Sequence, residues 1–243
     1  MVFLWEPLLC SLLKFEKKFA KYADMVIIQD IKRAEYLKTY TGINLSKVYL
    51  FPISVLDNSS LMSDKRENIC ICFGNIYISK EDLLFIACHL PDGWKLILHN
   101  MNMQTQFKEI SCLNNIIVCD NMLDENGICA LLDKSKIALA IYGDDDQNAR
   151  LIVFSSEKIA RYTCHSIPFI INSTSNANIL FSEFKCGIAV STKDDIIDAV
   201  SSILSDYDTY AQYARMAFEK YYNFEKNFSS FYSSLLVLTK CRN

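Results

Sequence analysis

Short apolar runs bounded by turn formers alternate with stretches of mixed polarity along most of this chain. DMVIIQD predicts a short buried strand, residues 31–41 a helix ended by Gly42, and KVYLFP a second strand stopped by Pro52. These two strands belong to one small α/β unit. Residues 54–67, SVLDNSSLMSDKRE, are polar and rich in turn formers, and so predict a linker. Beyond it come ICICFG, a helix from Ser79, KLILHN, a short helix, IIVCD, a helix from Asp124, IALAIYG, a helix opened near Ser155, PFIIN and GIAVS. That rhythm is βαβ, and it predicts a mostly parallel, Rossmann-like α/β sheet with helices on both faces. From Thr192 to about Leu238 the pattern is helical throughout. Ile196, Ile197, Val200, Ile203 and Leu204 lie on one face there, and Tyr207, Tyr210, Tyr213, Phe218, Tyr221 and Tyr222 supply aromatic packing.

The opening MVFLWEPLLCSLL is apolar, but Glu6 and Pro7 interrupt it, no basic segment precedes it, and it is too short to span a bilayer. Leu8, Leu9, Leu12, Leu13, Phe15 and Phe19 recur at helical spacing and predict a stripe that packs on another element.

In a sheet of this kind, ligands bind at the carboxyl ends of the strands, where the strand order reverses. The residues at those ends are Gly74 and Asn75, His99 and Asn100, Asp120 and Asn121, and Gly143 to Asp146. Among the helices, FSSEKIARYTCHSIPFIIN, residues 154–172, is the most informative. Ser155 and Ser156 can cap a helix whose first amides lack intrahelical partners, the helix dipole adds positive potential, and Lys158 adds a full charge. An anion, above all a nucleoside diphosphate, suits that helix end. An exposed first-turn lysine behind ordinary capping serines is the plainer alternative.

With 243 residues, 51% of them apolar, and a net charge of −3, the chain is neither disordered nor furnished with a basic stripe for nucleic acid. Its ten cysteines include Cys70 and Cys72 on one strand and no CxxC pair, which points to reduced buried thiols in the cytoplasm. His99, at a strand end, is a candidate for contact with phosphate or sugar. His89 and His165 stand at helix carboxyl ends and read as structural.

Several pieces together resemble the GT-B glycosyltransferases, particularly bacterial enzymes of polysaccharide and glycoconjugate assembly. YADMVIIQDIKRAEYLKTYTGI looks like the end of their amino-terminal domain, and KVYLFPIS like the crossing into the donor domain. ICFGNI resembles that domain's opening strand and glycine turn, and SSEKIARYTCHSIPFIINS its serine-lysine helix and following strand. The resemblance implies residues 1–53 as a remnant of the acceptor-side domain, 68–222 as a nucleotide-sugar-binding domain, and 223–243 as a helix packing back toward the amino-terminal part. It implies a hexosyltransferase using a nucleoside diphosphate sugar, UDP first and GDP second, with a glycan or lipid-linked acceptor and no metal or other cofactor. Gly74, Asn75, Ser155, Ser156 and Lys158 would hold the donor phosphates. Asp120, Asn121, Met122 and Arg161 would lie by the base and ribose, and His99, Asp146 and Asn148 by the sugar.

Many members carry a glutamate one turn after the lysine for the ribose hydroxyls. Arg161 occupies that position here, and Glu157 is expected to point elsewhere on the helix. Asp144, Asp145 and Asp146 form the sharpest competing signal, because an Asp-x-Asp after a strand also suits magnesium or manganese. A solvated loop is the reading preferred here. Two other functions stay open: a non-catalytic binding or assembly module that pairs with a separate acceptor subunit or a second copy, and a nucleotide-sugar epimerase. Peripheral association with the inner face of the membrane is a further expectation of the resemblance.

Overall fold

The computed structural model describes residues 14–60, 66–99, 110, 115–119, 123–143 and 147–240. The chain divides into two compact units, one formed by Met1–Ile53 with Lys226–Asn243 and the other by Ser54–Glu225.

In the first unit, β1 (Val26–Ile28) and β2 (Val48–Leu50) pair in parallel. The helix Ile31–Thr41 crosses between them. Asp30 caps it by accepting from the amides of Lys32 and Arg33, and Gly42 ends it in the left-handed region at φ 73°. The helix Phe224–Lys240 lays Phe231 edge-on to Tyr49 and Phe51, and the Tyr49 hydroxyl donates to Ser230. Residues 14–19 are helical, with Phe15 and Phe19 exposed, whereas Leu8, Leu9, Leu12 and Leu13 lie outside the described residues.

The second unit is built on six parallel strands: β3 (Ile69–Phe73), β4 (Lys95–His99), β5 (Ile116–Cys119), β6 (Ile137–Ala140), β7 (Phe169–Asn172) and β8 (Gly187–Val190). Their order is β5-β4-β3-β6-β7-β8. Strands with both faces covered carry apolar residues at successive positions, and alternation then divides them between two layers. Ile69, Ile71, Ala138, Ala140, Phe169 and Ile171 face a core completed by Ile159, Tyr162, Leu180, Phe218 and Tyr222. Cys70, Cys72, Leu96, Leu98, Leu139 and Ile170 face the other, with Leu83, Ile86, Trp94, Ile196, Val200 and Ile203.

The segment after Thr192 is helical nearly throughout, with breaks at Asp206 and Asn223. Lys193–Ser205 stops at Asp206, Tyr207–Ala217 runs into a π-helical turn at Phe218–Tyr222, and Asn223 is extended before the last helix begins. Tertiary pairing explains the final break, since Val55 donates to the Tyr222 carbonyl and Phe224 to the Val55 carbonyl. The same bonds attach Val55 to the second unit, and Asp57 adds an ion pair with Arg215. Arg66 donates to the carbonyls of Ser135 and His165.

The described cysteines are free, and Cys70, Cys72, Cys129, Cys164 and Cys186 are buried. Among the described residues no helix is long and apolar enough to cross a membrane.

Candidate functional site

Strands β3 and β6 are neighbours in the sheet, yet the chain runs outward from them in opposite directions, through β4 to β5 and through β7 to β8. Their pairing covers only Cys70 with Ile137 and Ile71 with Ala138. Past that point the ladder gives way to the buried Tyr162 side chain. Its hydroxyl accepts from the Phe73 amide at 3.0 Å and donates to the Leu139 carbonyl at 3.3 Å. Two parallel strands that part at their carboxyl ends leave a crevice between the loops that follow.

That crevice is a cleft of about 570 Å³. Phe73, Gly74, Asn75 and Tyr77 line it from β3, Tyr142 and Gly143 from β6, and Ser155, Ser156, Glu157, Lys158 and Arg161 from the helix Glu157–Cys164 and the turn before it. Gly74 has φ 73°, a conformation that a side chain would strain. Its amide donates to the His99 carbonyl, turning the chain so that the Asn75 carbonyl accepts from Lys158 Nζ at 2.8 Å.

Lys158 is only 7% exposed, so it is no ordinary surface lysine. Its ammonium also sits 5.1 Å from the centre of the Tyr142 ring. Among the described residues it has no carboxylate partner. Burial therefore pushes its pKa below the ordinary lysine value, and the nearby Cys72 opposes that only in part. Ser156 caps the helix by accepting from the Ile159 amide at 3.2 Å. The amides of Glu157 and Lys158 have no partner among the described residues, so two donors and a buried cation converge on one end of the cleft.

Arg161, three residues after Lys158 on the same helix, also lines the cleft. Its guanidinium pairs with both carboxylate oxygens of Glu125, at 2.7 and 3.0 Å, and its Nε with Glu157 at 2.8 Å. It also lies over Phe73, whose ring stacks on His99 with planes 12° apart. The Arg161 hydrogen bonds hold the Glu125 carboxyl below its usual range.

No family model and no curated sequence matches the chain. Solved structures do match. HepE of Anabaena in complex with UDP superposes with a TM-score of 0.71 at 11% identity, over 93% of this chain and 68% of that one. The pneumococcal O-GlcNAc transferase GtfA in complex with UDP and GlcNAc gives 0.66 at 10%, over 93% and 47%. Sucrose-phosphate synthase from Thermosynechococcus elongatus gives 0.65 at 13%, over 93% and 62%. The chain has the GT-B glycosyltransferase fold. It spans about half to two thirds of the length of these GT-B proteins.

Within the GT-B frame, Gly74, Asn75, Ser155, Ser156, Lys158, Arg161 and Asn148 all line the one cleft. Ser155 does not cap, contrary to expectation. It closes a 3-10 turn, Val153–Ser155, and its hydroxyl donates back to the Leu151 and Ile152 carbonyls, which leaves the cap to Ser156. Glu157 does not point elsewhere: four residues from Arg161, it shares that face and lines the cleft with it. His99 is buried under Phe73. Its Nδ1 has no hydrogen-bond partner among the described residues, and burial lowers its pKa, so it is neutral at pH 7. Asn100, Asp120, Asn121, Met122, Asp144, Asp145 and Asp146 lie outside the described residues.

His89 bonds to the Phe85 carbonyl, and His165 to Asp133 at 2.6 Å, as structural histidines do. Sequence reading missed Phe73, Tyr77, Tyr142, Glu125 and Asn172. Tyr142 stands next to last in the run IALAIYG, and that position was its one available signal. Nothing local marks Glu125, which reaches Arg161 from another helix, whereas Asn172 closes β7 at a strand end that was not among those singled out.

Proposed function

We propose that this chain binds the donor of a glycosyltransferase, taking a nucleoside diphosphate sugar, first of all a UDP-linked hexose, for transfer to a glycan or lipid-linked acceptor. The observation that carries the reading is the buried Lys158 ammonium, without a carboxylate partner among the described residues, beside two helix amides that have no partner among those residues, at the topological switch point. A buried cation without an anion is costly unless a ligand completes it. UDP in the HepE and GtfA structures, which share the fold, supports the choice of nucleotide.

In such a transfer, negative charge grows on the departing diphosphate. Lys158 and the amides of Glu157 and Lys158 are aligned beforehand to stabilise that charge without a metal ion. Arg161 would lie on the nucleoside side, and Asn148 on the sugar side.

The test is calorimetric titration of the purified chain with UDP and GDP, with and without magnesium, beside a Lys158→Ala variant. Metal-independent UDP binding that the variant loses supports the reading. A folded sample that binds neither nucleotide overturns it. Binding without transfer until a second polypeptide is added would favour the partner-dependent module.

A further inference from the structure

Lys158 is held in the cleft by a residue from another strand. Tyr142 follows β6, and its backbone is clasped on both sides by the buried Asn172 side chain at the end of β7. Asn172 Oδ1 accepts from the Tyr142 amide at 3.2 Å, and Asn172 Nδ2 donates to the Tyr142 carbonyl at 3.3 Å and to Thr174 Oγ1 at 2.7 Å. Thus fixed, Tyr142 presents two groups to the phosphate end of the cleft. The face of its ring lies 5.1 Å from Lys158 Nζ, and its hydroxyl hydrogen-bonds to the hydroxyl of the helix cap Ser156.

We propose that Tyr142 is a positioning residue for anion binding, with its ring holding the Lys158 ammonium in the cleft and its hydroxyl orienting Ser156. The chemistry follows from the surroundings. An ammonium buried with one carbonyl acceptor among the described residues gains from an aromatic face, which supplies negative potential without taking the charge away. A carboxylate there would neutralise Lys158 and repel a diphosphate. A tyrosine ring stabilises the cation and leaves it free to attract the ligand. Asn172 acts one step further back, since a side-chain amide pairing with both backbone groups of Tyr142 leaves that residue one setting relative to the helix. The loop after β6 is thereby tied to the loop after β7 behind the cleft.

The proposal rests on the nucleotide reading for its ligand but not for its apo geometry, so the experiment has two arms. In the first, UDP affinity is measured for the parent, Tyr142→Phe and Tyr142→Leu, each checked for folding by circular dichroism. Tyr142→Phe keeps the ring and is expected within about threefold of the parent, whereas Tyr142→Leu is expected to lose about tenfold, the scale of one cation-ring contact. Unchanged affinity for Tyr142→Leu, or equal losses in both variants, overturns the role of the ring.

In the second arm, urea unfolding without ligand is compared for Tyr142→Leu, Lys158→Met and the double variant. If the ring acts on the ammonium, Tyr142→Leu shifts the unfolding midpoint less than half as far in the Lys158→Met background as in the parent. Additive shifts overturn the proposal. A parent that binds no UDP would defeat the nucleotide reading alone, and the second arm would still decide whether Tyr142 holds Lys158.

Discussion

Replacing Tyr162 by phenylalanine removes one oxygen and should be disproportionately costly. The hydroxyl lies in the gap where β3 and β6 part, accepting from the Phe73 amide and donating to the Leu139 carbonyl. The side chain is 0% exposed, so no bulk water stands ready to replace it, and the same burial raises its pKa well above the ordinary tyrosine value. Tyr162→Phe leaves a buried donor unsatisfied, at about 1–3 kcal/mol, and removes a carbonyl partner worth about 1 kcal/mol. The sum is about 2–4 kcal/mol. For a chain of this size it corresponds to a fall of roughly 4–16 °C in the thermal midpoint. Urea unfolding measures the first quantity, and amide hydrogen exchange at Phe73 reports the local cause. A loss below about 0.5 kcal/mol with Phe73 still protected would refute the reasoning, because it would mean that the strands close the gap themselves.

Other outcomes follow from particular contacts. Lys158→Met should stabilise the unliganded protein by about 1–2 kcal/mol at pH 7 by removing a poorly compensated buried charge, while abolishing UDP binding. The folded-state pKa of Lys158 lies below the ordinary 10.5, so the unfolded chain binds the proton more tightly, stability rises with pH toward 10.5, and the advantage of the variant should shrink over that range in urea titrations. Gly187→Ala would place a Cβ 2.2 Å from the Phe169 carbonyl oxygen and 2.9 Å from the Phe181 ring, and should cost about 3 kcal/mol in unfolding experiments by forcing β8 from β7. Arg215 lowers the pKa of Asp57 from 3.8 to about 2. The stability this pair contributes is present above pH 3.8 and lost as the pH falls through about 2, so acid titration of Asp57→Asn should show a flatter decline across that window.

Much of this protein could be read from its sequence. All eight strands coincide with short apolar runs; for β3, β4, β6 and β7 this is because a strand buried on both faces needs apolar residues at consecutive positions, whereas β1, expected to be buried, leaves Ile27 exposed, and Leu50 of β2 is exposed as well. The helix starts at Ser79, Asp124, Ser156 and Thr192 were visible for the same local reason, since each caps by accepting from an amide within three residues. The serine-lysine helix and the glycine turn at Gly74 were therefore placed correctly in relation to their strands.

Only the tertiary structure decided what those elements do together. Local pattern is indifferent to strand order, and the order alone puts β3 beside β6 and opens the cleft at their ends. The burial of Lys158 depends on the Asn75 carbonyl, 83 positions away in the chain, and on the Tyr142 ring. Arg161 was visible as a departure from a familiar pattern, but its Glu125 partner comes from a helix 36 positions earlier, through a contact that no sequence periodicity encodes. The break at Asn223 likewise comes from Val55, which pairs with the backbone on either side of it. Apolar spacing and capping are local properties of a chain. A binding site is made of charges and backbone groups that meet only after folding, and its energetics belong to the fold.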